Sequence, residues 1–136
     1  MRANKTLLIK FEDWDHFKDR VTKALRSREV SIGRRDVLVW RSAGDYQNFM
    51  TEQKLAILAY VASRSPKSIY ALAQLVGRDF ANVQRDCVAL CGHGFMKFKE
   101  SGDAKKSKIP KLAFNYTKIV VQMPGATYSH VVGKVA

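Results

Sequence analysis

The sequence predicts an α+β fold: a winged helix-turn-helix preceded by a small β-α-β-like N-terminal extension. Three observations predict it. Between residues 52 and 91 a helix, a short helix closed by Gly77 and a third helix follow one another. Two apolar runs around a polar, charged stretch with Gly102 come next, the pattern of a hairpin. Ahead of these, the hydrophobic period switches from two to 3.6 and back.

The elements follow in order. Leu7, Ile9 and Phe11 share one face of a strand over 5–11, with Leu8 and Lys10 on the other. Over 14–28, Trp14, Phe17, Val21, Ala24 and Leu25 recur at helical spacing, Lys18, Asp19, Arg20, Lys23 and Arg26 fall outside the stripe, and Asp13 is placed to cap. A loop with Gly33, Arg34 and Arg35 leads to a strand over 36–40. About forty residues are too few for an independent core, so this extension is expected to pack on the rest of the chain or on a second subunit.

Ser42 caps a short helix over 44–50, and Thr51 a longer one over 52–63, stopped by Ser65-Pro66. Ser68 caps 69–76, which Gly77 ends, and Asp79 caps a helix to about Cys91, ended by Gly92 and Gly94. Residues 95–98 read as a strand and 99–108 as a hairpin tip. Alternation resumes over 110–123, with Phe114, Tyr116, Ile119 and Val121, so that this run is expected to pair with the first. The division is therefore 1–41 for the extension, a possible dimerisation or partner-binding segment, 42–123 for the winged helix-turn-helix, and 124–136 for a tail with no assigned element.

The 136 residues carry 24 Lys plus Arg against 12 Asp plus Glu, a net charge of +12, with 46% hydrophobic residues. A real core is available, and the surface attracts polyanions. No run approaches the ~18 apolar residues of a membrane span, and the start lacks the apolar core and cleavage site of a signal peptide. Cys87 and Cys91 are the only cysteines, which excludes a secreted disulfide framework. A cytoplasmic protein that does not engage membranes is expected.

On the third helix, 100° per residue puts Phe80, Val83, Cys87 and Leu90 on one side and Ala81, Asn82, Arg85 and Ala89 on the other, with Gln84 at the margin. Asn pairs bidentately with adenine, Arg with guanine O6 and N7, and Ala meets a thymine methyl. Ala81, Asn82, Arg85 and Gln84 are therefore the candidates for reading base edges. Arg78 and Ser68, at helix N-termini, and Lys105, Lys106 and Lys108 of the wing are the candidates for the DNA backbone, in a tip that also holds Lys97, Lys99 and Lys111. One helix reads few base pairs, so a homodimer is expected, its seam the 14–21 helix or the tail at Val131 and Val132.

The pieces DYQNFMTEQKLAIL, SIYALAQLVGRDFANVQRD and GFM, within 39–123, resemble the MarR-like winged-helix predicted transcriptional regulators of bacteria and archaea. The resemblance implies a repressor-like, DNA-binding regulator. Many such proteins are encoded beside a toxin, which further implies an autoregulating antitoxin that binds an operator and its cognate toxin. This chain departs from the family pattern at Cys87 and over 90–94, at the end of the recognition helix.

Other chemistry is less well served. Cys87, Cys91, His93 and His130 could be assembled into a metal site, but Cys87 falls on the apolar stripe and no CxxC pair exists, so neither a metal nor a cofactor is expected. A redox role for Cys91 would need an exposed, acidic thiol. There is no phosphate loop, HExxH or nucleophile elbow, and Asp13 and Asp15, two apart beside His16, do not face each other on a helix. The chain is expected not to be an enzyme. Trp14, Phe17 and Trp40 read as core rather than a base-stacking platform. Duplex-DNA binding for transcriptional control, a protein-interaction module neutralising an acidic partner, and RNA binding stay open in that order.

Overall fold

The computed structural model describes residues 6–11, 37–102, 108–113, 115–123 and 126–132, with Asp15, Lys18, Asp19, Thr22 and Lys23; for 123 and 126–131 it describes the backbone alone. These residues form strands β1 (Thr6–Phe11), β2 (Val37–Trp40), β3 (Met96–Glu100), β4 (Lys108–Leu112), β5 (Lys118–Met123) and β6 (Ala126–Val131). Between β2 and β3 lie helices α1 (Ala43–Phe49), α2 (Glu52–Arg64), α3 (Ile69–Val76) and α4 (Phe80–Gly92). The five single residues between β1 and β2 are helical, and Lys23 pairs with Asp19 at 3.2 Å on an exposed surface. Asp13, Trp14, Phe17 and Val21 lie outside the described residues, as do Phe114, Lys105 and Lys106.

Each helix starts where a short polar side chain accepts a free amide of the first turn. Ser42 accepts from Asp45 N at 3.1 Å, Thr51 from Lys54 N at 3.2 Å, Ser68 from Ala71 N at 3.0 Å and Asp79 from Asn82 N at 3.3 Å. The α3 helix ends on Gly77 at φ +71°, where the amides of Gly77 and Arg78 both reach the Ala73 carbonyl. That left-handed turn is cheap only for glycine, and it lets α4 start across α3 within three residues.

β1 pairs in parallel with both β2 and β5, and β5 antiparallel with β6, giving the order β2-β1-β5-β6. β1 and β2 pair in parallel, and the single described residues between them are helical. Leu7 sits beside Ile119 and Ile9 beside Val121 in register, and all four are fully buried. That face meets the helices through one continuous apolar cluster with Ile57, Leu58, Leu72, Val83 and Leu90. Burying each such side chain contributes roughly 1.5–3 kcal/mol.

Two expectations are corrected here. The run over 110–123 does not act as one hairpin arm: Lys108–Leu112 pairs with β3, while Lys118–Met123 crosses to β1. Between them Tyr116, fully buried, donates its hydroxyl to the Phe95 carbonyl at 2.9 Å and ties the sheet to the base of the hairpin. Within the segment given no element, residues 126–131 form β6 beside β5, and Val132, offered as a dimer seam, is buried in its own chain, with its amide donating to the Thr117 carbonyl at 2.8 Å. Among the described residues no helix is long and apolar enough to cross a membrane.

Candidate nucleic-acid interface

On α4 the buried residues are Val83, Cys87 and Leu90. Phe80, expected on that side, is 44% exposed, because it lies on the first turn, before the helix has reached the core. The outward face consists of Ala81, Gln84, Arg85 and Val88, the last 56% exposed. Asn82 and Ala89 are half-buried at its margin, so the face is turned toward Gln84 and Val88 relative to the sequence expectation. Helical spacing from Ala81, Gln84 and Arg85 was the signal that would have included Val88.

The predicted contact residues differ in how they are held. Arg85 Nη1 donates to Asn82 Oδ1 at 3.2 Å, and Asn82 Nδ2 donates to Asp79 Oδ1. The amide and side chain of Asn82 hold the Asp79 carboxyl below the usual carboxylate range. Arg78, expected on a phosphate, forms a 2.8 Å ion pair with Asp86, both mostly buried, and so ties the turn to α4. Ser68 is occupied as the α3 cap, with its hydroxyl proton still available. On α3, Tyr70 is 61% exposed and accepts from Gln74 Nε2 at 3.2 Å.

The hairpin sorts its side chains by strand alternation. Met96, Phe98, Pro110 and Leu112 face the core. Lys97 and Lys99 of β3 and Lys111 of β4 take the outer face, with Lys97 directly across from Lys111. Like charges in that position repel, and an anion laid over them removes the repulsion. Lys108 lies on the core-facing side at its exposed end, its ammonium 5.5 Å from the Phe98 ring centre.

Neither cysteine is on the outward face of α4: Cys87 is buried and Cys91 half-buried. Burial, then the neighbouring Cys91 and Asp86, pushes the Cys87 thiol up to about 12. Burial also raises Cys91, the opposite of an activated redox thiol. Among the described residues no three His, Cys, Asp or Glu converge as metal ligands, and His130 lies outside the side chains described. Trp40 packs in an aromatic cluster, stacked on His93 at 4.8 Å and edge-on to Tyr46 at 5.6 Å. Beside it opens a cleft of about 640 Å³ along β2.

Helix, short helix, glycine turn, helix and hairpin, packed on a mixed sheet, define a winged-helix-like α+β protein. The model of the HVO_A0114 family matches residues 49–121, more than half of the chain, and the chain belongs to that family. Among solved structures it is similar to NMB1585, a MarR family regulator from Neisseria meningitidis, at 13% identity and a TM-score of 0.40. The match covers 72% of this chain and 60% of that regulator, so the chain spans less than two thirds of its length. No curated protein matches the chain.

Proposed function

We propose that this chain is a sequence-specific, duplex-DNA-binding transcriptional regulator that acts by binding rather than catalysis. The observation that carries the reading is the outward face of α4, where Ala81, Gln84, Arg85 and Val88 stand exposed on a single helix beside a hairpin whose outer face holds Lys97, Lys99 and Lys111. A helix of this kind fits the major groove with its N-terminal turns on base edges, and lysines on an adjacent hairpin meet phosphates. The net charge of +12 supplies the non-specific part of the affinity. A thirteen-residue helix reads only a few base pairs. The regulator is therefore proposed to work as a homodimer on half-sites about one DNA turn apart.

Selection of bound molecules from a random duplex pool tests this. The expected result is a two-fold symmetric consensus. Enrichment no better than for an unselected pool, or tighter binding of single-stranded RNA of equal length, would overturn it.

A further inference from the structure

Asn82 carries the residue type for reading adenine, yet its surroundings give it different work. Its amide spans two protein partners on the helix surface, accepting from Arg85 Nη1 at 3.2 Å and donating to the Asp79 carboxylate. Bidentate adenine recognition needs the oxygen and the nitrogen of that amide presented together to one base edge. Here the oxygen faces a donor one turn ahead and the nitrogen an acceptor one turn behind. Asn82 is also half-buried at the margin of the face, whereas Arg85 is exposed.

From this geometry we infer that Asp79, Asn82 and Arg85 form a relay in which Arg85 alone reads a base and Asn82, braced by Asp79, is a positioning residue that fixes the guanidinium. The inference rests on the duplex-reading function proposed above and deepens it. Arg is a long side chain with much rotamer freedom to lose. Anchoring one Nη on Asn82 restricts the approach of the remaining donors, which suit the O6 and N7 acceptors of guanine. The Asp79 carboxylate has two oxygens: Oδ2 caps the helix on Asn82 N, and Oδ1 takes the Asn82 side chain. The cap thus fixes the start of the helix and the reading residue together.

The test is competition titration of the full chain against single-base-pair variants of the duplex consensus selected from a random pool. Arg85→Ala is expected to flatten preference at one base pair per half-site, by roughly ten- to a hundredfold. Asn82→Ala is expected to flatten the same base pair, less deeply, and no other. The double variant is expected to match Arg85→Ala alone. Asn82→Asp keeps an acceptor for Arg85 but replaces the donor to Asp79 with a second carboxylate, so that it is expected to lose preference at that same position and to weaken all duplexes besides. Asp79→Ser preserves the cap but is too short to brace Asn82, and is expected to lose preference at that same position. Loss at a second base pair in Asn82→Ala, or additive losses in the double variant, would overturn the relay and make Asn82 a reader. Absence of any consensus for the unaltered protein would overturn the duplex-reading function itself, and the relay with it.

Discussion

From α1 to β4 the helices and the hairpin pack on one another within a single stretch of the chain, whereas the four-stranded sheet joins β1 to β5 across nearly the whole length of the chain. The two regions also differ in what they leave outside. Of the exposed large apolar side chains among the described residues, Tyr70 and Leu75 lie on α3, Phe80 and Val88 on α4, and only Val39 on the sheet. The sheet instead supplies fully buried pairs such as Leu7 with Ile119. Under the function proposed, the helices and hairpin meet the ligand and the sheet holds them in place.

The two regions are expected to unfold together. Ile9→Ala, deep in the sheet, is expected to cost about 2–5 kcal/mol. It should also shift the helical circular dichroism and the tryptophan fluorescence to one common, lower urea midpoint. Separate transitions would mean that the helices do not depend on the sheet.

A second test uses the thiol beneath α4. Its folded-state value near 12 lies above its ordinary 9.0, so the neutral thiol stabilises the fold fully below about pH 9 and that contribution is lost as the pH rises toward 12. Tyr116, raised by burial from 10.0, acts in the same direction above pH 10. The unfolding free energy from urea titration is expected to fall through this window, by up to about 1.4 kcal/mol per pH unit for Cys87. Cys87→Ala should have the shallower slope; an unchanged slope would place the thiol outside the linkage.

The two regions touch at Gly94. It sits at φ +86°, and a Cβ there would come within 2.9 Å of a methyl of Leu38 on β2. Gly77 has φ +71° and open space around it. Alanine at either position is expected to cost about 1–2 kcal/mol for the left-handed backbone, with Gly94→Ala the more costly in thermal melts because Leu38 must also move.

The smallest effect carries a change of sign. Lys97→Ala removes the repulsion with Lys111 and is expected to stabilise the fold by about 0.2–1 kcal/mol. It should also lower the salt slope of duplex binding by up to about one unit. Loss of stability with an unchanged slope would take the outer face of the hairpin out of contact with DNA.

What the sequence made legible follows the same division. Ser42, Thr51, Ser68 and Asp79 announce four helix starts, and Gly77 a helix end, because caps and turns are decided within four residues. The partner of Lys118–Met123 is decided by which other strand offers a matching buried face. Ile119 and Val121 alternate as well for a hairpin arm as for a strand beside Leu7 and Ile9. Ala81, Gln84 and Arg85 were legible on α4 from its period, but Val88 was missed, Asn82 and Ala89 lie at the margin rather than on the face, and Phe80 at the first turn is exposed rather than on the buried side. The relay through Asn82 was not legible, since residue type alone does not say whether an amide faces solvent or its own neighbours.

The most direct measurement of the central claim is amide chemical-shift mapping of the isotopically labelled protein titrated with its selected duplex. Shifts are expected to concentrate at Ala81, Gln84, Arg85 and Val88 and at Lys97, Lys99 and Lys111, with β1 and β5 little changed. Shifts confined to the cleft along β2, at Trp40, Phe49 and His93, with α4 unmoved, would contradict it.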